Sequence, residues 1–108
     1  MAVKELDTSN LDAEVSAGKT IVDFWTTWCL PCKALAPILD SLSEKYSDKI
    51  SVGKVDIATN PSLAGKYNII SVPCLIVFEN GKEIDRMIGF KGKDGVEELF
   101  LRHIWYAK

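Results

Sequence analysis

Thr20-Ile21-Val22-Asp23-Phe24-Trp25-Thr26-Thr27-Trp28-Cys29-Leu30-Pro31-Cys32-Lys33 is the stretch on which the fold turns. Residues 20–26 are β-branched and aromatic with almost no polar interruption, the pattern of a strand covered on both faces. From 32 to 46 the period changes: Leu35, Ile38, Leu39, Leu42 and Tyr46 share one face at helical spacing, which predicts the longest helix. Pro31 is tolerable in the first turn of that helix, whereas Pro37 lies inside it and predicts a kink. A buried strand therefore runs into a helix across Cys29-x-x-Cys32.

Working outward, residues 3–6 alternate apolar and polar and predict a first strand. Thr8 and Ser9 are candidate N-caps for a helix carrying Leu11 and Val15, which Gly18 closes. Residues 50–56 predict a strand. Asn60 before Pro61 marks the cap and first position of a short helix ending near Tyr67. Residues 74–79 and 82–88 flank Asn80-Gly81, a strong hairpin signal. Gly89, Gly92 and Gly95 break the chain before a last helix with Val96, Leu99, Phe100 and Ile104, whose apolar face Trp105 and Tyr106 continue. The order β-α-β-α-β-α-β-β-α is that of an α/β protein: parallel strands with crossover helices, then an antiparallel hairpin, in one mixed sheet with helices on both faces. No repeat, low-complexity tract or linker interrupts it, so residues 1–108 are expected to form a single domain.

Composition narrows the function. Apolar residues are 47% and charged residues 26% of the 108, a balance that builds a core and argues against disorder. Thirteen basic and fifteen acidic side chains give net charge −2, without the basic excess expected of a nucleic-acid binder. No run approaches the roughly 18 apolar residues of a membrane span, because residues 69–78 contain Ser71 and Pro73. Residues 1–10 are polar and acidic, unlike a secretory signal, and Met1 is retained; the expected location is the cytoplasm. Three cysteines are too few, and odd in number, for a secreted disulfide framework.

At the strand-to-helix junction the pair Cys29 and Cys32 can close a disulfide within one turn. The unpaired N–H groups and positive dipole end of the helix favour a thiolate on Cys29, and the thiolate is the form that attacks disulfides. Half of a zinc site is the second reading, but such a site needs four ligands, no second C-x-x-C exists, and His103 lies on the last helix. Core packing ranks third. Asp23, between Val22 and Phe24, is either a buried acid with a raised pKa or a charge at a strand edge. Taken alone, Lys54 reads as a solvated strand lysine, Cys74 as a small buried apolar residue, and Val72-Pro73 as an ordinary trans bond.

Asp23-Phe24-Trp25, Trp28-Cys29-x-Pro31-Cys32-Lys33, Pro37, Lys54-Val55-Asp56, Asn60-Pro61, Val72-Pro73, Phe78, Asn80-Gly81 and Gly89 occur in order and in register with these elements. In that set the chain resembles the thioredoxin family over essentially its whole length. The resemblance implies a thioredoxin fold, a central five-stranded mixed sheet flanked by four helices. It also implies reduction of disulfide-containing proteins by dithiol–disulfide exchange, without bound cofactor or metal. The protein would be a monomer, itself reduced by a flavin- or iron–sulfur-dependent thioredoxin reductase.

Carried over by position, Cys29 resembles the exposed nucleophile and Cys32 the buried resolving thiol of a redox-active disulfide. Asp23 matches the family's buried proton acceptor and Lys54 its neighbour. Val72-Pro73 matches a cis bond facing the pair. Trp28, Leu30, Pro31, Val72, Pro73, Ile88 and Gly89 match the surface on which substrate docks. Two positions depart from the pattern: Leu30 stands where glycine is common, and Cys74 where threonine is common. Two alternatives stand beside the redox reading. One is a metal- or iron–sulfur-binding electron carrier using Cys29, Cys32 and Cys74, and the other is a non-catalytic binding subunit. For Cys74 itself the inert, buried thiol is the favoured expectation.

Overall fold

The computed structural model describes residues 2–104; Trp105 and Tyr106, expected on the last helix, lie outside the described residues. The elements run β1 (Val3–Leu6), α1 (Leu11–Val15), β2 (Lys19–Trp25), α2 (Leu30–Lys45), β3 (Ser51–Asp56), α3 (Pro61–Lys66), β4 (Cys74–Glu79), β5 (Lys82–Ile88) and α4 (Gly92–Ile104). They form the expected five-stranded sheet with four helices, in the order β1-β3-β2-β4-β5. The β1–β3 and β3–β2 pairs are parallel, and β2–β4 and β4–β5 are antiparallel.

Strand β2 is central, which is why its sequence is apolar on both faces. Odd-numbered Ile21 packs with Leu35, Leu39, Val52, Leu75, Val96 and Phe100 in the layer under α2 and α4. Even-numbered Val22 and Phe24 pack with Leu11, Val55, Leu63, Ile76 and Phe78 under α1 and α3. Phe24 is fully buried, so Phe24→Ala should cost about 3–5 kcal/mol.

Helix ends account for the differences from the sequence reading. The N-cap of α1 is Asn10, not Thr8 or Ser9. The Ser9 hydroxyl is already committed to Asp7, to which it donates at 2.6 Å, and Asn10 Oδ1 accepts from the Asp7 N–H at 2.7 Å. Helix α2 starts at Leu30, two residues before the apolar period begins, with Cys29 as its N-cap and Pro31 in its first turn. Pro37 lies inside it, as expected. Helix α4 starts at Gly92, so Gly95 is within the helix and does not break it. A Cβ at position 95 would sit 2.6 Å from Lys91 Cβ, a close approach that glycine permits. The hairpin turn holds Asn80 and Gly81 at φ +51° and +86°, the left-handed pair that a two-residue turn requires. Among the described residues no helix is long and apolar enough to cross a membrane.

Candidate active site

Strand β2 stops at Trp25, and a short turn delivers Cys29 to the first position before α2 in an extended conformation. Cys29 and Cys32 are joined as a disulfide with Cα atoms 5.2 Å apart. The Cys32 N–H donates to Cys29 Sγ at 3.1 Å, so the cysteine caps the helix with its sulfur. No acidic side chain occupies the first turn of α2. When the disulfide opens, the N–H groups and the dipole both favour negative charge on Cys29. Cys29 is 9% exposed and Cys32 3%, which makes Cys29 the more accessible residue of the pair.

The chain returns to this sulfur 43 residues later, where the Val72 carbonyl oxygen is 3.6 Å from Cys29 Sγ. The Val72-Pro73 bond is cis, as the resemblance implied and the residue types alone did not. Gly89, at φ +85°, donates its N–H to the Pro73 carbonyl at 2.8 Å and holds the end of β5 against the loop. Pro73 is buried and Val72 and Gly89 are half-buried, whereas Trp28, Leu30, Pro31 and Ile88 are exposed.

Asp23 lies in an interior strand and is 4% exposed, which removes the strand-edge reading. Burial pushes its carboxyl up to about 7, against the opposing pull of Lys54. Asp23 Oδ1 has no hydrogen-bond partner among the described residues. A cavity of about 90 Å³ lined by Asp23, Trp25, Cys32, Lys33, Ala36 and Lys54 joins this acid to the buried sulfur. Lys54 is not freely solvated: its side chain is 31% exposed and its ammonium lies 5.4 Å from the centre of the Trp25 ring.

Cys74 is buried between Phe24 on β2 and Ile88 on β5, and burial pushes its thiol up. Among the described residues no group of three or more His, Cys, Asp or Glu is placed to hold a metal ion.

Sequence reasoning missed Ile70, at 94% the most exposed of the large apolar side chains among the described residues. Ile70 and Ile88 line a second cavity beside the Val72-Pro73 loop, together with Asn68, Ser71, Cys74 and Arg86. The signal was the Ile69-Ile70 doublet: Ile69 packs into the layer under α1 and α3, leaving its neighbour outward.

The thioredoxin family model matches residues 2–101. The chain belongs to the thioredoxin family. Thioredoxins of Staphylococcus saprophyticus, Staphylococcus epidermidis and Staphylococcus aureus are each 40% identical to it over 104 residues, 96% of this chain and 100% of theirs. A bonded C-x-x-C pair at the head of a helix in a thioredoxin domain makes the protein a dithiol–disulfide oxidoreductase. The electron-carrier and binding-subunit alternatives are not favoured.

Proposed function

We propose that the reduced protein transfers two electrons to protein disulfides through Cys29 and Cys32 in turn. The Cys29 thiolate attacks one sulfur of the substrate disulfide, forms a mixed disulfide and releases the other sulfur as a thiolate. Cys32 then gives its proton to Asp23 across the cavity between them, and its thiolate attacks the Cys29 sulfur. The Cys29–Cys32 disulfide closes and the second substrate sulfur leaves. The observation that supports this reading is the N-cap geometry of Cys29, which favours a thiolate on the more accessible residue of the pair.

Lys54, next to Asp23 in the sheet, offsets the charge that the acid holds when it is ready to accept. Trp28, Leu30, Pro31, Val72, Pro73, Ile88 and Gly89 form the docking surface, with Ile70 extending it. A thioredoxin reductase, flavin- or iron–sulfur-dependent, returns the disulfide to the dithiol. The reading is completed by a monomer, one domain over residues 1–108, and a cytoplasmic location. A disulfide-reduction assay driven by candidate reductases tests it: turnover of a protein disulfide that stops in Cys29→Ser is the expected result. Binding of the substrate without turnover in the unaltered protein would overturn it and favour a binding subunit.

A further inference from the structure

The sheet register sets three charged residues in one row. Glu5 on β1 is the partner of Lys54 on β3, and Lys54 is the partner of Asp23 on β2. Partners on neighbouring strands point to the same face, so one ammonium stands between an exposed carboxylate and a buried one. Within this row the ammonium is at ion-pair distance from the exposed carboxylate, Lys54 Nζ lying 3.5 Å from Glu5 Oε2, while Asp23 Oδ1 has no hydrogen-bond partner among the described residues. The other groups facing Asp23 are Cys32 and Lys33 from α2, across the cavity. On β4 its partner is the uncharged Leu75, with Cys74 behind it on the opposite face. Asp56, two residues beyond Lys54 on β3, pairs with Trp25 in the next outward row.

We propose that Glu5 is a positioning residue for the resolving step, holding the Lys54 ammonium toward the edge of the sheet so that Asp23 remains a strong base for the Cys32 proton. The proposal rests on the reading of Asp23 as that acceptor. A carboxylate closely paired with an ammonium is a weaker base, and general-base efficiency follows basicity. With Glu5 gone, Lys54 has only Asp23 as a carboxylate partner in its row. Both the lost negative charge and the released ammonium then act in the same direction, lowering the pH at which Asp23 ionises.

The test is Glu5→Gln, an exposed change on an edge strand. Carboxyl-carbon NMR of Asp23 in the oxidised protein, where Cys32 has no proton to couple with it, reads the titration midpoint. At low salt the midpoint should fall by about half a pH unit in Glu5→Gln. It should stay near the wild-type value in Glu5→Asp and move much less when Glu5→Gln is made in a Lys54→Met background. In the reduced protein, a chromophoric aryl disulfide releases one aryl thiolate on attack and another on resolution. The pH profile of the second release should shift with the midpoint, and that of the first should not. A midpoint that does not move, or moves equally without Lys54, overturns the proposal. A midpoint that moves while the second release keeps its profile overturns Asp23 as the acceptor, and with it this role for Glu5.

Discussion

Cys74 and Phe24 are direct partners across the antiparallel β2–β4 pair, and both side chains lie in the apolar layer under α1 and α3. Asp23, one residue before Phe24, points to the other face, where it shares a cavity with Cys32. The sheet therefore separates the third thiol from the proton acceptor proposed for the redox pair. Burial also keeps that thiol protonated at neutral pH, because its pKa is raised.

Thiol counting on the oxidised protein should accordingly find one free thiol that reacts with a bulky reagent only after denaturation. Cys74→Thr should retain protein-disulfide reduction within about twofold of wild type. Cys74→Ser should lower stability by about 1–3 kcal/mol, from burial of a hydroxyl, without loss of chemistry. One equivalent of metal per chain, lost in Cys74→Ser, would reverse this reading.

Asp23 should make the fold less stable as pH rises. Its carboxyl holds a proton up to about pH 7 when folded, against an ordinary value of 3.8. Between those values the folded state binds the extra proton, so stability contributed below 3.8 is lost as pH climbs through the window, and the loss is complete above 7. The full difference is about 4 kcal/mol. Denaturant melts of Asp23→Asn and wild type should coincide most closely near pH 4 and diverge toward pH 8, with the variant more stable. Curves that stay parallel across this range would show a carboxylate whose charge is already compensated in the fold.

The two sulfurs should separate by substitution. Cys29→Ser should abolish turnover, whereas Cys32→Ser should still attack and accumulate mixed disulfides that nothing resolves. Mass spectrometry of protein recovered from the assay distinguishes the two. Trapped substrate on Cys29→Ser and none on Cys32→Ser would exchange the roles.

Trp28, Leu30, Ile70 and Ile88 are exposed apolar side chains, and the proposed substrate surface gathers them around Cys29. Covering one such side chain even partly stabilises a complex by about 1 kcal/mol, so Leu30→Ser and Ile70→Ser should each raise KM for a protein disulfide roughly fivefold. Reaction with a small aryl disulfide, which does not span the surface, should be unaffected. An equal effect on both substrates would place these residues in the chemistry and not in docking.

Much of the site was legible because its signals are local. Cys29 and Cys32 lie within one helical turn, and the strand before them is apolar on both faces, so the junction could be read from a few residues. Helix ends were less legible. At α1 the Ser9 hydroxyl is taken up by Asp7, and in α4 a Cβ at position 95 would crowd Lys91, features that residue type alone does not announce. Ile70 was missed because an apolar residue in an apolar run is ordinarily assigned to the core, and only the packing of Ile69 shows which of the two faces out.

The sequence by itself determined the order of the elements, the hairpin at Asn80-Gly81 and the position of the cysteine pair at the head of a helix. Each follows from side-chain periods of 2 and 3.6 residues and from backbone preferences that act within one turn. Tertiary structure alone decided the order in which the strands lie. That order puts β2 in the interior, converts Asp23 from an ambiguous acid into a buried one, and lines it up with Lys54 and Glu5. It likewise brings Val72 to Cys29 across 43 residues of chain. Such neighbours are chosen by which apolar faces cover one another, a property of the whole core that no short stretch of the chain contains.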